Sequence, residues 1–396
     1  MAPEADQLLK QGIEQYQTYL ETRLIASLEA AMQSWQEALS MYRASQNSIG
    51  EGAALGNLGA AYKALGDLPQ AIAFYQQHLN LAQSIQDRRG EGNALGNLGN
   101  AYYLMGEELK AIAYQQQRLT IVREIPDRQS EMQTLLNLGA VYYSLEEYSQ
   151  AKECFQECRA IALQLPDSRT EGLALKNLRL VSDALLDSQA ANDYQQQHSS
   201  LVRKLWQATD LDFLTHAKML GINPSEDFAK ADLSGINLRS ADLSNADLND
   251  TNLSDADLTF ADLSRANLES ANLAGACLCN ANLRDADLRG ANLSRADLRT
   301  KMPRANLSGA NLESANLYSA YLPNAQLVAA DLSGATLSDA DLSGANLSRA
   351  NLQNADLKRT NLSGANVENA RLIGALGLSE AMKLELKQRG AIFDDG

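Results

Sequence analysis

A five-residue repeat governs the second half of the chain. Over residues 228–372, units such as ADLSG, ADLSN and ANLES follow one another, with leucine or another apolar residue at the centre of each. Leucines at this spacing would spiral around every face of an α-helix and would alternate sides on a flat strand. A chain that extends for about three residues and then turns by roughly a right angle points every leucine inward, together with the alanine two residues before it. The repeat therefore predicts a square coil with a core of leucine and alanine.

The turn positions agree with such a coil. The residue two after each leucine is often glycine, asparagine or aspartate, as at Gly235, Asn245 and Asp250, and these residue types tolerate turn dihedrals. The pattern A(D/N)LXX resembles the pentapeptide-repeat family, which implies a right-handed quadrilateral β-helix over residues 228–375. One unit, around Met302, is one residue short.

A second and longer repeat fills the first half of the chain. Successive copies begin at about residues 10, 50, 90, 130 and 170. The copy at 50 places Leu55, Leu58 and Tyr62 in one apolar stripe of a first helix, and a second helix follows Gly66. These residues resemble the tetratricopeptide repeat in its 40-residue, kinesin-light-chain type. The resemblance implies an all-α superhelix over residues 8–205.

Together the repeats predict a two-domain solenoid, in which an all-α tetratricopeptide superhelix is followed by an all-β right-handed quadrilateral β-helix with helical caps. Both ends of the second domain should be covered, because an open coil exposes its core. We expect a connector and a cap helix at about 212–220 within residues 206–227. Residues 376–396 should hold a capping helix, which begins after Ser379, and a tail. The pairing of these two repeats is similar to that of many cyanobacterial proteins.

The composition argues against several classes of function. A net charge of −15 opposes direct binding to nucleic acid or to an anionic lipid surface, and no apolar run reaches membrane-spanning length, so we expect a cytoplasmic protein. Three histidines and four cysteines leave little for a metal centre, and neither a phosphate-binding glycine loop nor a nucleophile pattern is present. The sequence therefore predicts no enzyme activity, no cofactor and no metal site.

An asparagine ladder marks the candidate groove of the helical domain. Asparagine recurs at one helix position in successive copies of the longer repeat, and the copy at 90 adds further asparagines on the same face. This position resembles the asparagine position of tetratricopeptide domains at which the side-chain amide forms hydrogen bonds with the backbone of an extended peptide. The predicted groove residues are Asn57, Asn93, Asn97, Asn100, Asn137 and Asn177. The alternative is that these amides bond within or between repeats.

Irregular units supply the candidate site of the second domain. The shortened unit should form a projecting bulge, and the units after it place tyrosine, proline and valine at outward positions. The predicted interaction patch consists of Tyr318, Tyr321, Pro323, Val328, Lys301 and Arg304. Drift on a tolerant surface is the alternative explanation. Cys277 and Cys279 flank Leu278 and should point outward, and the sequence leaves open whether they are reactive.

These features predict a non-enzymatic protein–protein interaction scaffold or adaptor, with a peptide or helix in the helical groove and a second partner on the β-helix. Residues 1–227 hold 18 basic and 28 acidic side chains, which favours a neutral or basic segment as the partner. The alternative is a DNA-mimicking modulator of DNA gyrase or another topoisomerase, because a narrow acidic rod of the pentapeptide-repeat family resembles the proteins that mimic DNA. Against this alternative, residues 228–375 carry 13 basic and 17 acidic side chains. The arginines among them interrupt the continuous negative electrostatic potential that a mimic of duplex DNA needs.

Overall fold

Helices of 17–21 residues, several of them with polar N-caps, build the first half of the protein. The computed structural model describes residues 2–207, 223 and 228–393. An aspartate carboxylate accepts a hydrogen bond from the backbone N–H three residues later at several helix starts, as at Asp67, Asp87 and Asp127. The described helices of this half are α1 (Ala2–Thr22), α2 (Ile25–Ala44), α3 (Ser48–Ala64), α4 (Leu68–Ser84), α5 (Arg88–Leu104), α6 (Glu108–Glu124), α7 (Arg128–Ser144), α8 (Tyr148–Gln164), α9 (Ser168–Ala184) and α10 (Ser188–Gln207).

The helices pack in two layers. Consecutive helices from α1 to α9 contact one another, and each odd-numbered helix in this range also contacts the next odd-numbered helix. The odd-numbered helices therefore line the inner side of an all-α superhelix. Glycine allows the closest approach within a pair, because a Cβ on Gly59 would lie 2.4 Å from the buried ring of Tyr75, and one on Gly139 would lie 2.5 Å from Phe155.

Ion pairs join successive repeats at equivalent positions. Arg43 Nε lies 2.7 Å from Glu51 Oε1, and Arg123 Nε lies 2.8 Å from Glu131 Oε1. Glu131 also accepts from Arg128 Nη1 at 2.8 Å. At the equivalent position of the copy between them, Glu91 accepts from Gln83 at 3.1 Å and pairs with Arg88 of its own helix. The carboxylate side chains become more buried along the series, since Glu51, Glu91 and Glu131 are 20%, 14% and 4% exposed.

The chain divides into two compact units, residues 1–188 and 189–396. This division falls at the first residue of α10, whereas the sequence places the boundary at 205. The difference arises because α10 packs on the start of the coil. Val202 joins the leucine core of the coil, Gln195 Nε2 donates to the carbonyl of Ala229 at 3.0 Å, and Arg203 Nη2 donates to Ser234 Oγ at 2.8 Å. The cap helix predicted at 212–220 lies outside the described residues.

Parallel backbone bridges stack the coils of the second unit. The chain returns to the same position after every fourth pentapeptide unit, as in the bridges of Asp232 with Asn252 and of Asn252 with Asn272. The central leucines and the alanines before them are almost completely buried. Side-chain amides repeat the stacking, because Asn272 Nδ2 donates to Asn252 Oδ1 at 3.0 Å. The described part of the coil holds bridges of single residues rather than continuous β-strands.

The shortened unit is accommodated inside the coil. Met302 takes the place of leucine and is fully buried, and the buried Thr300 hydroxyl donates to the carbonyl of Ala281. Lys301 forms backbone bridges with Asn282 of the coil before it and with Tyr321 of the coil after it. The missing residue therefore shifts the register at one corner, and Lys301 lies in the stack instead of on the expected bulge.

A short helix, α11 (Glu380–Gln388), follows the last coil. The Ser379 hydroxyl accepts from the backbone N–H of Met382 at 3.2 Å, and Leu386 is buried in the leucine core. Met382 and Phe393 pack on the same core, whereas the side chain of Ile392 is 38% exposed. In the described part of the chain no helix has both the length and the apolar character that a membrane crossing requires.

Candidate partner-binding site

The inner helices present an uncharged row of side chains. These positions lie opposite the buried leucines on α3, α5, α7 and α9, at spacings of four, three and four residues. The row consists of Ala53, Asn57, Ala60, Ala64, Asn93, Asn97, Asn100, Leu104, Gln133, Asn137, Ala140, Ser144, Leu173, Asn177, Leu180 and Ala184. Amides and small side chains predominate, so the row offers hydrogen bonds and space instead of charge.

Three of the predicted groove asparagines keep their amides open. Asn57 on α3 and Asn97 on α5 are half-buried, and Asn93 is exposed. Within the described residues none of these side chains has a hydrogen-bond partner. Each amide therefore retains two donor hydrogens and one acceptor oxygen for a ligand.

The other three asparagines are engaged inside the helical unit. Asn137 Nδ2 and Gln115 Nε2 both donate to Asn100 Oδ1, at 2.9 and 2.8 Å, and Gln133 Nε2 donates to Asn137 Oδ1 at 3.0 Å. Asn177 Nδ2 donates to the carbonyl of Leu173 in its own helix at 2.9 Å. The open amides are thus gathered on α3 and α5, and the bonded ones lie farther along the row.

Gln115 is a polar residue that sequence reasoning missed. It occupies the position of Tyr75 and Phe155 in the flanking repeats and is fully buried against Gly99. Its Oε1 has no hydrogen-bond partner among the described residues. The signal was present in the sequence, since a glutamine replaces an aromatic residue at a repeated packing position.

Half-buried and buried basic groups lie on the helices around this row. Burial lowers the pKa of Lys63 on α3 and of Arg118, which packs against Gly96. Burial also lowers the pKa of His78, against an opposing effect of Asp87, so its imidazole is mainly neutral at pH 7.

The predicted patch on the coil extends over three of its sides. Tyr318 and Tyr321 are each 46% exposed. The bridges of successive coils stack in separate columns, which we call bridge stacks. Tyr318 lies two residues after Asn316 of one stack, Tyr321 belongs to the next stack, and Val328 lies two residues after Gln326 of a third. Tyr321, Lys301 and Pro303 line one surface groove of about 590 Å³. Pro323 is half-buried in the same stack as Tyr321.

Several arginines on the coil are paired with carboxylates. Arg304 Nε and Nη2 donate to the two carboxylate oxygens of Asp285, at 2.7 and 2.6 Å. Arg359 pairs with Asp339 in the same way at 2.5 Å. These arginines therefore neutralise neighbouring acidic side chains, and Arg304 is held by an ion pair.

The four cysteines fall into two pairs with different surroundings. Burial raises the pKa of Cys154 to about 11 and that of Cys158 to about 12, which makes both thiols poor nucleophiles. Cys277 and Cys279 are half-buried on the outside of the coil, and their sulfur atoms are 3.5 Å apart. The outward orientation that the sequence predicts for this second pair agrees with the structure.

Comparisons with known proteins match each half separately. The tetratricopeptide repeat family matches residues 50–124 and 132–165. The pentapeptide repeats family matches residues 231–269, 266–300, 302–339 and 340–376. No curated protein matches the chain.

Several solved structures are similar to parts of the chain. HetL, a pentapeptide repeat protein involved in heterocyst differentiation regulation from the cyanobacterium Nostoc sp. strain PCC 7120, is 32% identical over 37% of this chain and 87% of its own, with a TM-score of 0.17. Kinesin light chain repeats from Podosopora anserina are 16% identical over 52% of this chain and 99% of theirs, with a TM-score of 0.44. BtubC from P. vanneervenii is 16% identical over 50% of this chain and 90% of its own, with a TM-score of 0.40.

Proposed function

We propose that this chain, which carries tetratricopeptide repeats followed by pentapeptide repeats, is a non-enzymatic adaptor that holds an extended peptide in the groove of its helical unit. Both kinds of repeat are suited to protein–protein interaction and generally serve as scaffolds. The observation that carries the proposal is the row of open amides, Asn57, Asn93 and Asn97, on the inner helices α3 and α5.

The chemistry of the row selects the kind of ligand. A side-chain amide can donate to a peptide carbonyl and accept from a peptide N–H, so it recognises the backbone of a peptide instead of particular side chains. The row itself carries no charge, and the excess of acidic groups over residues 1–227 disfavours an acidic segment. We therefore assign the groove to a neutral or basic segment of a protein partner, bound in extended form.

The second unit supplies a rigid support in this proposal. We assign the coil to the right-handed quadrilateral β-helix of the pentapeptide repeats, with α10 and α11 over its ends. The return of the chain after every fourth unit and the buried leucines support that assignment. A second protein partner would contact the exposed tyrosines, Tyr321 together with Lys301 first, because they share one groove. The four cysteines are free thiols, as in a reducing compartment, which supports a cytoplasmic location for this activity.

Selection of peptides on the full-length protein tests the groove. A displayed library of random peptides yields ligands, and fluorescence anisotropy then measures the affinity of a selected peptide for each variant. Asn57→Ala and Asn97→Ala should each weaken binding about 30-fold, because each amide contributes two hydrogen bonds of about 1 kcal/mol. Methylation of one contacted peptide backbone nitrogen should weaken binding in the same way.

Asn80 provides the matched control for these variants. It lies exposed on α4, in the outer layer, where it accepts a hydrogen bond from Gln76. Asn80→Ala should leave the affinity unchanged. Selected peptides that bind the Asn57→Ala and Asn97→Ala variants as tightly as the unaltered protein would contradict the proposed groove.

A further inference from the structure

The coil brings two thiols and a carboxylate together at one place on its surface. Cys277 and Cys279 lie on the same side of the chain because residues two apart in an extended segment point the same way. Asp297 belongs to the next coil and is the direct bridge partner of Cys277. The two sulfur atoms and a carboxylate oxygen of Asp297 all lie within 4.8 Å of one another.

The spacing of these atoms suits tetrahedral coordination. The sulfur atoms are 3.5 Å apart. Two thiolates bound to zinc at about 2.3 Å with this separation enclose an angle of about 100°, which is close to the tetrahedral value. A carboxylate oxygen supplies a third ligand at about 2.0–2.2 Å, and water completes an open site of the usual three-ligand kind.

Neighbouring side chains support the ligands as an outer shell. The Thr259 hydroxyl lies 3.3 Å from the sulfur of Cys277, and Asn316 Nδ2 donates to Asp297 Oδ1 at 3.3 Å. Arg299 Nη2 donates to the sulfur of Cys279 at 3.1 Å and to Asp297 Oδ2 at 2.7 Å. Hydrogen bonds to metal ligands fix their orientation. The Arg299 guanidinium also donates from Nε to Asp297 Oδ1 at 2.9 Å, so this cation turns away from Cys279 and Asp297 when a metal ion binds. The Arg299 side chain is 50% exposed, so water can solvate its charge when a cation binds.

We propose that Cys277, Cys279 and Asp297 form a binding site for a thiophilic divalent cation of the zinc type. Binding converts the two thiols to thiolates, and their two protons pass to solvent as two metal–sulfur bonds form. The site links two successive coils, so an occupied site ties one coil to the next. This activity is independent of the groove of the helical unit.

Metal titration of the full-length protein tests the site. Cys154→Ala and Cys158→Ala in the background leave Cys277 and Cys279 as the thiols of the chain. Under anaerobic conditions, competition with a chromophoric chelator measures the Zn²⁺ affinity, and Co²⁺ reports sulfur ligands through its thiolate charge-transfer band. Cys277→Ser and Cys279→Ser should each weaken Zn²⁺ binding at least about 100-fold and diminish the band. Asp297→Asn should weaken binding about tenfold and leave the band in place.

Asp287 provides the matched control, because Arg289 pairs with it as Arg299 pairs with Asp297. Arg289 Nε lies 2.9 Å from both carboxylate oxygens of Asp287, and this pair lies in a different bridge stack from the thiols. Asp287→Asn should leave the Zn²⁺ affinity unchanged. Equal Zn²⁺ affinity of the background protein and its Cys277→Ser/Cys279→Ser variant would overturn the proposal. An equal loss in Asp287→Asn and Asp297→Asn would overturn the assignment of Asp297 as a ligand.

Discussion

Glu131 should be the most stabilising of the three equivalent carboxylates Glu51, Glu91 and Glu131. Its side chain is 4% exposed and accepts from Arg123 and Arg128 at 2.8 Å each, whereas Glu51 is 20% exposed and accepts from Arg43. Burial by itself raises the pKa of Glu131, but hydrogen bonds from Arg123 and Arg128 outweigh it and hold the pKa below the ordinary value of 4.5. The folded protein therefore favours the ionised carboxylate.

The change Glu131→Gln keeps the shape and removes the charge. Hydrogen bonds to charged groups contribute about 1.5–3 kcal/mol each, but both arginines are about half exposed and recover water when the charge is lost. We expect the free energy of unfolding to fall by about 2 kcal/mol. Glu91→Gln should cost about 1 kcal/mol and Glu51→Gln about 0.5 kcal/mol, because those carboxylates are better hydrated.

Urea unfolding followed by far-ultraviolet circular dichroism measures this series. A loss of about 2 kcal/mol moves the midpoint down by about 0.7 M if the slope is about 3 kcal/mol/M. The carboxylate has a lowered pKa in the folded state, so its contribution is complete above pH 4.5 and is lost as the pH falls through the folded-state value. The difference in the free energy of unfolding between the unaltered protein and Glu131→Gln should therefore vanish as the pH falls from 4.5 through the folded-state pKa of Glu131. Equal costs for all three variants, or a difference that persists at low pH, would refute the role given to burial.

Three further changes probe other parts of the structure. Gly377→Ala should destabilise the last coil by more than about 2 kcal/mol in thermal unfolding, because the added Cβ would lie 2.5 Å from the backbone nitrogen of Lys358. The control Gly309→Ala places its Cβ in open space and should cost about 1 kcal/mol, because only the positive φ of residue 309 opposes it. Burial lowers the pKa of His78, so the unfolded chain binds its proton more readily and the helical unit should lose stability from pH 7 to pH 5; His78→Gln should reduce that loss in urea titrations at the two pH values. Gln115→Phe should raise the free energy of unfolding from urea titrations by about 1 kcal/mol, because it removes a buried unpaired oxygen; an unchanged or lower midpoint would count against that account.

The sequence was sufficient for features that follow from local periodicity. Leucine and alanine at every fifth residue had to point inward, and Met302 at the shortened unit took the leucine position as the pattern predicts. The spacing of the longer repeat likewise predicted the helix pairs. Such patterns specify which face of a segment is buried, because burial of apolar surface is decided within a few residues of chain.

The tertiary structure decided which distant polar groups meet. Asn57 and Asn137 look equivalent in the sequence, yet Asn137 is bonded to Asn100 of the neighbouring helix while Asn57 remains open. Asp297 stands beside Cys277 only because each coil returns the chain after four pentapeptide units. A hydrogen bond or a metal ligand set depends on distances of a few tenths of an ångström between separate segments, and periodicity alone does not specify such distances.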